Sequence, residues 1–185
     1  MSDGFPVPVD LPKRIAVVHD WLVDYAGSER VLAEILRCLP QADLFALVDR
    51  MPADERRPLG DRRARTTFLQ NMPFVASHLA WYLPLMPAAI RSFDLSEYDL
   101  ILSSSHCVAK GVKKRPGAFH LSYIHAPMRY MWDRYEDYFS PGRAGWATRA
   151  ATRVCRPFLQ SWDRDSSKEV DTFVANSAFI GEQVE

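Results

Sequence analysis

The segment Arg14-Ile15-Ala16-Val17-Val18-His19 constrains the fold most: a basic residue followed by a short, continuous, partly β-branched apolar run. Such a run suits a strand buried on both faces, as in a parallel sheet. A loop over 20–27 follows. From Ser28 onward Val31, Leu32, Ile35, Leu36 and Leu39 share one helical face, which Pro40 ends. Ser28 is placed to cap that helix, and Glu29 to complement its dipole. The run 43–48 is a second buried strand, so the chain opens with a βαβ unit whose crossover is right-handed.

The same alternation continues. Residues 49–63 are charged and proline-bearing, hence a surface connection, and 64–69 form a short third strand. Residues 74–90 read as helices broken at prolines, with bulk from Trp81, Tyr82 and Leu85. The strand 100–103 ends in Ser103-Ser104-Ser105-His106, and 107–112 open a short helix. The strand 120–124 runs into His125-Ala126-Pro127-Met128-Arg129. A long helix is expected over 144–161, with a kink or restart at Pro157, then a strand at 172–175 and a turn capped by Ser177. Strands alternating with helices predict an α/β fold: an open, parallel, doubly wound sheet with helices on both faces. The 185 residues suit one domain.

A formal net charge of zero disfavours a dedicated nucleic-acid binder, which needs a positive surplus. Cys38, Cys107 and Cys155 are odd in number and widely spaced, so neither a disulfide framework nor a metal site is expected, and a reducing cytoplasmic setting fits. The apolar stretch 72–93 is broken by three prolines and carries His78 and Arg91, which argues against a membrane span. Residues 1–12 read as a flexible leader.

Ligands of open α/β sheets bind beyond the carboxyl ends of the strands. Three polar loops fall there: 19–29, 103–110 and 125–129. Gly27 and Ser28 begin a helix whose free amides suit a phosphate, although a glycine turn with a capping serine is the commoner use of those residues. His19-Asp20 lacks the further histidines of a metal phosphohydrolase, so Asp20 is expected as a polar residue facing the cleft. Neither GxGxxG nor a P-loop pattern is present. His125, held between a strand and Pro127, is equally readable as a ligand contact or as a histidine bonded to loop backbone. Trp146, Arg149, Arg153 and Arg156 form one helical stripe, either a solvated face or a contact for an anionic membrane surface.

Residues 14–21, Gly27-Ser28-Glu29-Arg30-Val31-Leu32, Ser103-Ser104-Ser105-His106 and above all Tyr123-Ile124-His125-Ala126-Pro127-Met128-Arg129-Tyr130-Met131-Trp132-Asp133 carry a resemblance. Together they resemble the amino-terminal domain of the family 4 retaining glycosyltransferases, which have the GT-B fold; Val174-Ala175-Asn176-Ser177 resembles its end. The chain most looks like the mannosyl- and related transferases that build bacterial surface polysaccharides. That resemblance implies a Rossmann-like acceptor-side domain over 13–177, a linker starting at 178–185, and a donor-binding domain not contained in this chain. It implies His125 as the catalytic contact to the transferred sugar, and Gly27 and Ser28 as contacts to the donor diphosphate. Asp20, Trp21, Ser104, His106, Lys110 and Arg129 are the expected acceptor-side residues. No cofactor or metal is implied; the partners are a nucleotide sugar and a saccharide or lipid-linked acceptor. Location is expected in the cytoplasm, peripherally at a membrane through Arg149, Arg153 and Arg156. Ala26 stands where the family often has a further glycine.

Overall fold

The computed structural model describes residues 12, 14–126, 128, 131–132, 135–140 and 145–184. The expected leader, apart from Pro12, therefore lies outside the described residues, as does Arg129. Strands β1 (Ile15–His19), β2 (Asp43–Ala46), β3 (Arg65–Thr66), β4 (Leu100–Ser105), β5 (Phe119–Ile124) and β6 (Thr172–Ala175) form one sheet in the order β3-β2-β1-β4-β5-β6. Every pairing is parallel. The helices are α1 (Gly27–Cys38), α2 (Met86–Arg91), α3 (Tyr135–Phe139), α4 (Trp146–Ser167) and α5 (Ala178–Val184). This is the expected Rossmann-like open sheet.

Strand pleating divides the core in two. Ile15, Val17, Leu44 and Ala46 pack against Leu32, Ala33 and Leu36 of α1 on one face. Ala16, Val18, Phe45 and Ile101 meet Met86, Ala89 and Ile90 of α2 and Leu159 of α4 on the other. Burial on both faces is why β1 carries no outward polar alternation until His19.

Several boundaries differ from those read in the sequence. β2 ends at Ala46 because Leu47 and Val48 turn to the loop after β1: Leu47 N–H donates to Asp20 O at 3.0 Å, and Leu22 N–H to Val48 O at 2.9 Å. β3 is only two residues long, since the Thr67 hydroxyl accepts from Leu69 N–H and caps a 3-10 turn, Phe68–Asn71. The proline-rich stretch becomes a 3-10 helix, Leu79–Leu85, followed by α2. Residues 109–111 make one 3-10 turn rather than a helix over 107–112. α4 begins at Trp146 and runs to Ser167 without restarting at Pro157. Flanking anchors hold it there: Leu159 is buried, and Arg156 bonds the carbonyls of Met131 and Trp132.

The sheet reverses its direction of growth at β1, where β4 joins the side opposite β2. Register aligns His19 with Ser104, and Ser104 with Tyr123, across three strands. β4 reaches Ser105, two residues past its expected end, and thereby carries Ser104 into that row. The carboxyl ends of β1, β4 and β5 thus meet at the topological switch point, where open α/β sheets bind ligands.

Candidate functional site

The site is organised by a buried carboxylate. Asp20 is fully buried, and its Oδ2 accepts the backbone N–H groups of His106 and Cys107 at 2.6 and 2.9 Å. Its Oδ1 accepts those of Val108 and Ala109, both at 2.7 Å. The expectation that Asp20 faces the cleft is corrected: its oxygens clamp the loop after β4 onto the end of β1.

A second network runs beside it. His19 is fully buried, with Nε2 3.1 Å from Glu29 Oε1 and Nδ1 3.1 Å from both the carbonyl and the hydroxyl of Ser104. The same Ser104 hydroxyl lies 2.8 Å from His125 Nε2. Glu29 also accepts from Ala26 N–H at 3.0 Å and from the Ser28 hydroxyl at 2.9 Å. The first turn of α1 and His125 are therefore the two ends of one hydrogen-bonded chain. His125 is half-buried beside Tyr123, with ring centroids 5.0 Å apart, and its carbonyl accepts from the Asn176 amide after β6.

His106 lies 5.8 Å from the His19 ring and 6.4 Å from the His125 ring, and Trp21 stands edge-on to it at 4.5 Å. Three imidazoles and an indole thus line one end of the sheet. Among the described residues no group of His, Cys, Asp or Glu is placed to hold a metal ion. Burial, with mutual repulsion among the imidazoles, pushes His125 down to about 4 and also lowers His106. Burial would raise Glu29, but its hydrogen bond and charge attraction to His19, then Ser28, hold it at about 2. The cluster thus pairs an ionised carboxylate with a neutral His125 at neutral pH.

The remaining expected residues divide. Gly27 is exposed, with open space where a side chain would project, which leaves the start of α1 approachable. Ser28 is not the cap; the helix begins one residue earlier, with Ala26 at the cap position and the Glu29 carboxylate bonded back to it. Lys110 is buried against α4, with Nζ 2.9 Å from Asp163 Oδ1 and 2.7 Å from the Asp163 carbonyl. Its expected substrate contact is replaced by a tie between the loop after β4 and α4. Arg156 is likewise engaged, its guanidinium 4.4 Å over the Tyr135 ring, so of the basic stripe Arg153 is exposed and Arg149 half-exposed. His19 and Glu29 are the participants that sequence reading left out of the site. The signal was available in a strand that ends on histidine and a carboxylate in the first turn of the following helix.

The chain matches no known family model, no curated protein and no solved structure.

Asp20→Asn replaces one acceptor oxygen by a donor and leaves two of the clamped amides facing it. We expect a loss of about 3 kcal/mol in unfolding free energy by urea titration. Stability should also depend on pH. His120, which burial lowers most, and His125 both sit at about 4 when folded against 6.5 as free groups. Between those values the unfolded chain takes up protons that the folded chain refuses, so stability falls as pH drops from about 6.5 toward 4. The Glu29 contribution is present above its free value of 4.5 and is lost as pH falls toward about 2. Urea midpoints measured from pH 7.5 down to pH 4.5 should show the first decline, and His125→Asn should flatten part of it.

Proposed function

We propose that this chain is the acceptor-side, amino-terminal domain of a retaining glycosyltransferase that takes a sugar from a nucleotide sugar. The observation that carries this reading is the hydrogen-bonded chain from the first turn of α1 through His19 and Ser104 to His125. It links an open helix start suited to a diphosphate with a neutral imidazole suited to a sugar hydroxyl. The strand order supports it, because β1, β4 and β5 deliver those groups to the switch point. The resemblance carried by Tyr123, His125 and the residues after them supplies the reaction class.

On this reading the amides at Gly27 and Ser28 approach the donor diphosphate, where the helix dipole favours negative charge. The Glu29 carboxylate occupies the neighbouring Ala26 amide and so leaves those two for the ligand. His125 contacts the transferred sugar, and its lowered proton affinity keeps it neutral beside a developing positive centre. Charge on the departing phosphate is met chiefly by a second, donor-binding domain, and no side chain of this chain acts as nucleophile. Trp21 and His106 border the acceptor side of the same cleft.

In the complete two-domain enzyme, His125→Ala should lower turnover about 100-fold, the scale of one lost transition-state contact, with a melting temperature close to wild type. Unfolding of the variant with no specific loss of turnover would assign His125 a structural role. Calorimetric titration of this chain alone with UDP- and GDP-sugars should show no micromolar binding; such binding would place a full donor site within these residues and contradict the half-site reading.

Exposed aromatic bulk favours an acceptor held at a lipid surface as a second reading. Phe74 and Trp81 are 69% and 61% exposed, and Trp146 at the start of α4 is 82% exposed near Arg149 and Arg153. Among the described residues no helix is long and apolar enough to cross a membrane, so this contact would be peripheral. Binding to anionic vesicles should weaken severalfold in an Arg149→Gln, Arg153→Gln double variant; unchanged binding would remove this reading.

A further inference from the structure

Helix α4 reaches the loop after β4 and the segment after β5, and one of its carboxylates reaches both at once. Among the described residues the Lys110 ammonium is held by α4 alone. It donates to the Asp163 carbonyl at 2.7 Å and to the Ser167 hydroxyl at 2.5 Å, and pairs with Asp163 Oδ1 at 2.9 Å. The other oxygen of that carboxylate, Oδ2, accepts the indole N–H of Trp132 at 3.0 Å. Asp163 itself is buried. The same stretch of α4 grips both partners elsewhere. Gln160 and Arg156 donate to the Met131 carbonyl at 2.8 and 2.9 Å, and the Arg164 guanidinium lies 4.9 Å over the Trp132 ring. On the other side, Gly111 packs so tightly that a Cβ there would fall 2.3 Å from the Trp162 ring. The loop after β4 is already clamped at its start by the four amides on Asp20. Position can therefore pass from β1 through Asp20 to that loop, and from Lys110 through Asp163 to Trp132.

We propose that Asp163 is a positioning residue that couples the clamped loop after β4 to the segment after β5, and so fixes the His106 and His125 rings at their 6.4 Å spacing. This rests on reading those two histidines as ligand-facing, and it deepens that reading by assigning control of their spacing to one buried ion pair on α4. The chemistry asks for a carboxylate. Its two oxygens both accept, so one meets the ammonium while the other meets the indole; an amide has a single acceptor oxygen. An NH₂ turned toward Lys110 would also leave a buried ammonium without its counter-charge.

NMR of the chain without substrate tests this, so its failure is separable from failure of the glycosyltransferase reading. The signals to follow are the Trp132 indole N–H and the ring C–H groups of His106 and His125. Lys110→Met is the sharpest variant, because it keeps the apolar stem while the lost ammonium bonds neither Trp132 nor His125. The Trp132 indole and the His125 ring should both shift by more than a line width, with the amides of β2 and α1 unmoved. Asp163→Asn should shift the His106 and His125 rings together. The double variant Lys110→Met, Asp163→Asn leaves no unpaired buried charge and decides the matter if a single variant fails to fold: its His125 ring should still be displaced. Histidine rings and a Trp132 indole at their wild-type positions in a variant with a lowered melting temperature would make Asp163 a structural ion pair and overturn the proposal. A Lys110→Met response confined to His106 would overturn it as well, since nothing would then pass through Asp163.

Discussion

Four backbone amides converging on the Asp20 carboxylate are the interaction on which the rest of this site depends. A buried carboxylate is costly unless its oxygens are fully bonded, and here the loop after β4 supplies the bonds. The loop gains a fixed path in return, which holds His106 beside Trp21 and His19. Lys110 then ties the same loop to Asp163 on α4. Two ionisable side chains that a sequence reader assigns to a ligand are in this way committed to fixing the loop after β4.

That rigidity has a chemical consequence. The His19 imidazole contacts Glu29 on one side and Ser104 on the other, so its orientation is set by both β4 and the first turn of α1. His125 inherits its placement from Ser104 and from the backbone of β4, since its N–H donates to Ser105 O at 2.9 Å. An imidazole crowded by two others and partly desolvated is kept neutral, a state suited to hydrogen bonding with an uncharged hydroxyl.

The fold was legible in the sequence because each layer repeats its own signal. The continuous apolar run of β1 and the one-sided face of α1 could only be buried on the two faces of a parallel sheet. Strand ends were less legible, since Leu47 and Val48 look like strand residues yet bond the loop after β1. At the site, position was easier to read than role. His125, Ser104, His106 and Trp21 do converge, but Asp20 and Lys110 point into the protein, because a charge near a strand end is as readily used to cap loop amides as to meet a ligand. Glu29 was hidden for the converse reason. A carboxylate in a first helical turn usually complements the dipole, and only the register of β1 with β4 places His19 between it and Ser104.

The most direct test is to map amide shift changes on the ¹⁵N-labelled chain while UDP- and GDP-sugars are added to high millimolar concentration. On the proposed reading, weak, unsaturated changes gathered at Gly27, Ser28 and His125 are predicted, because those groups would face the donor. Changes confined to other parts of the sheet, or none at these residues, would contradict the assignment of the switch-point cleft as the ligand site.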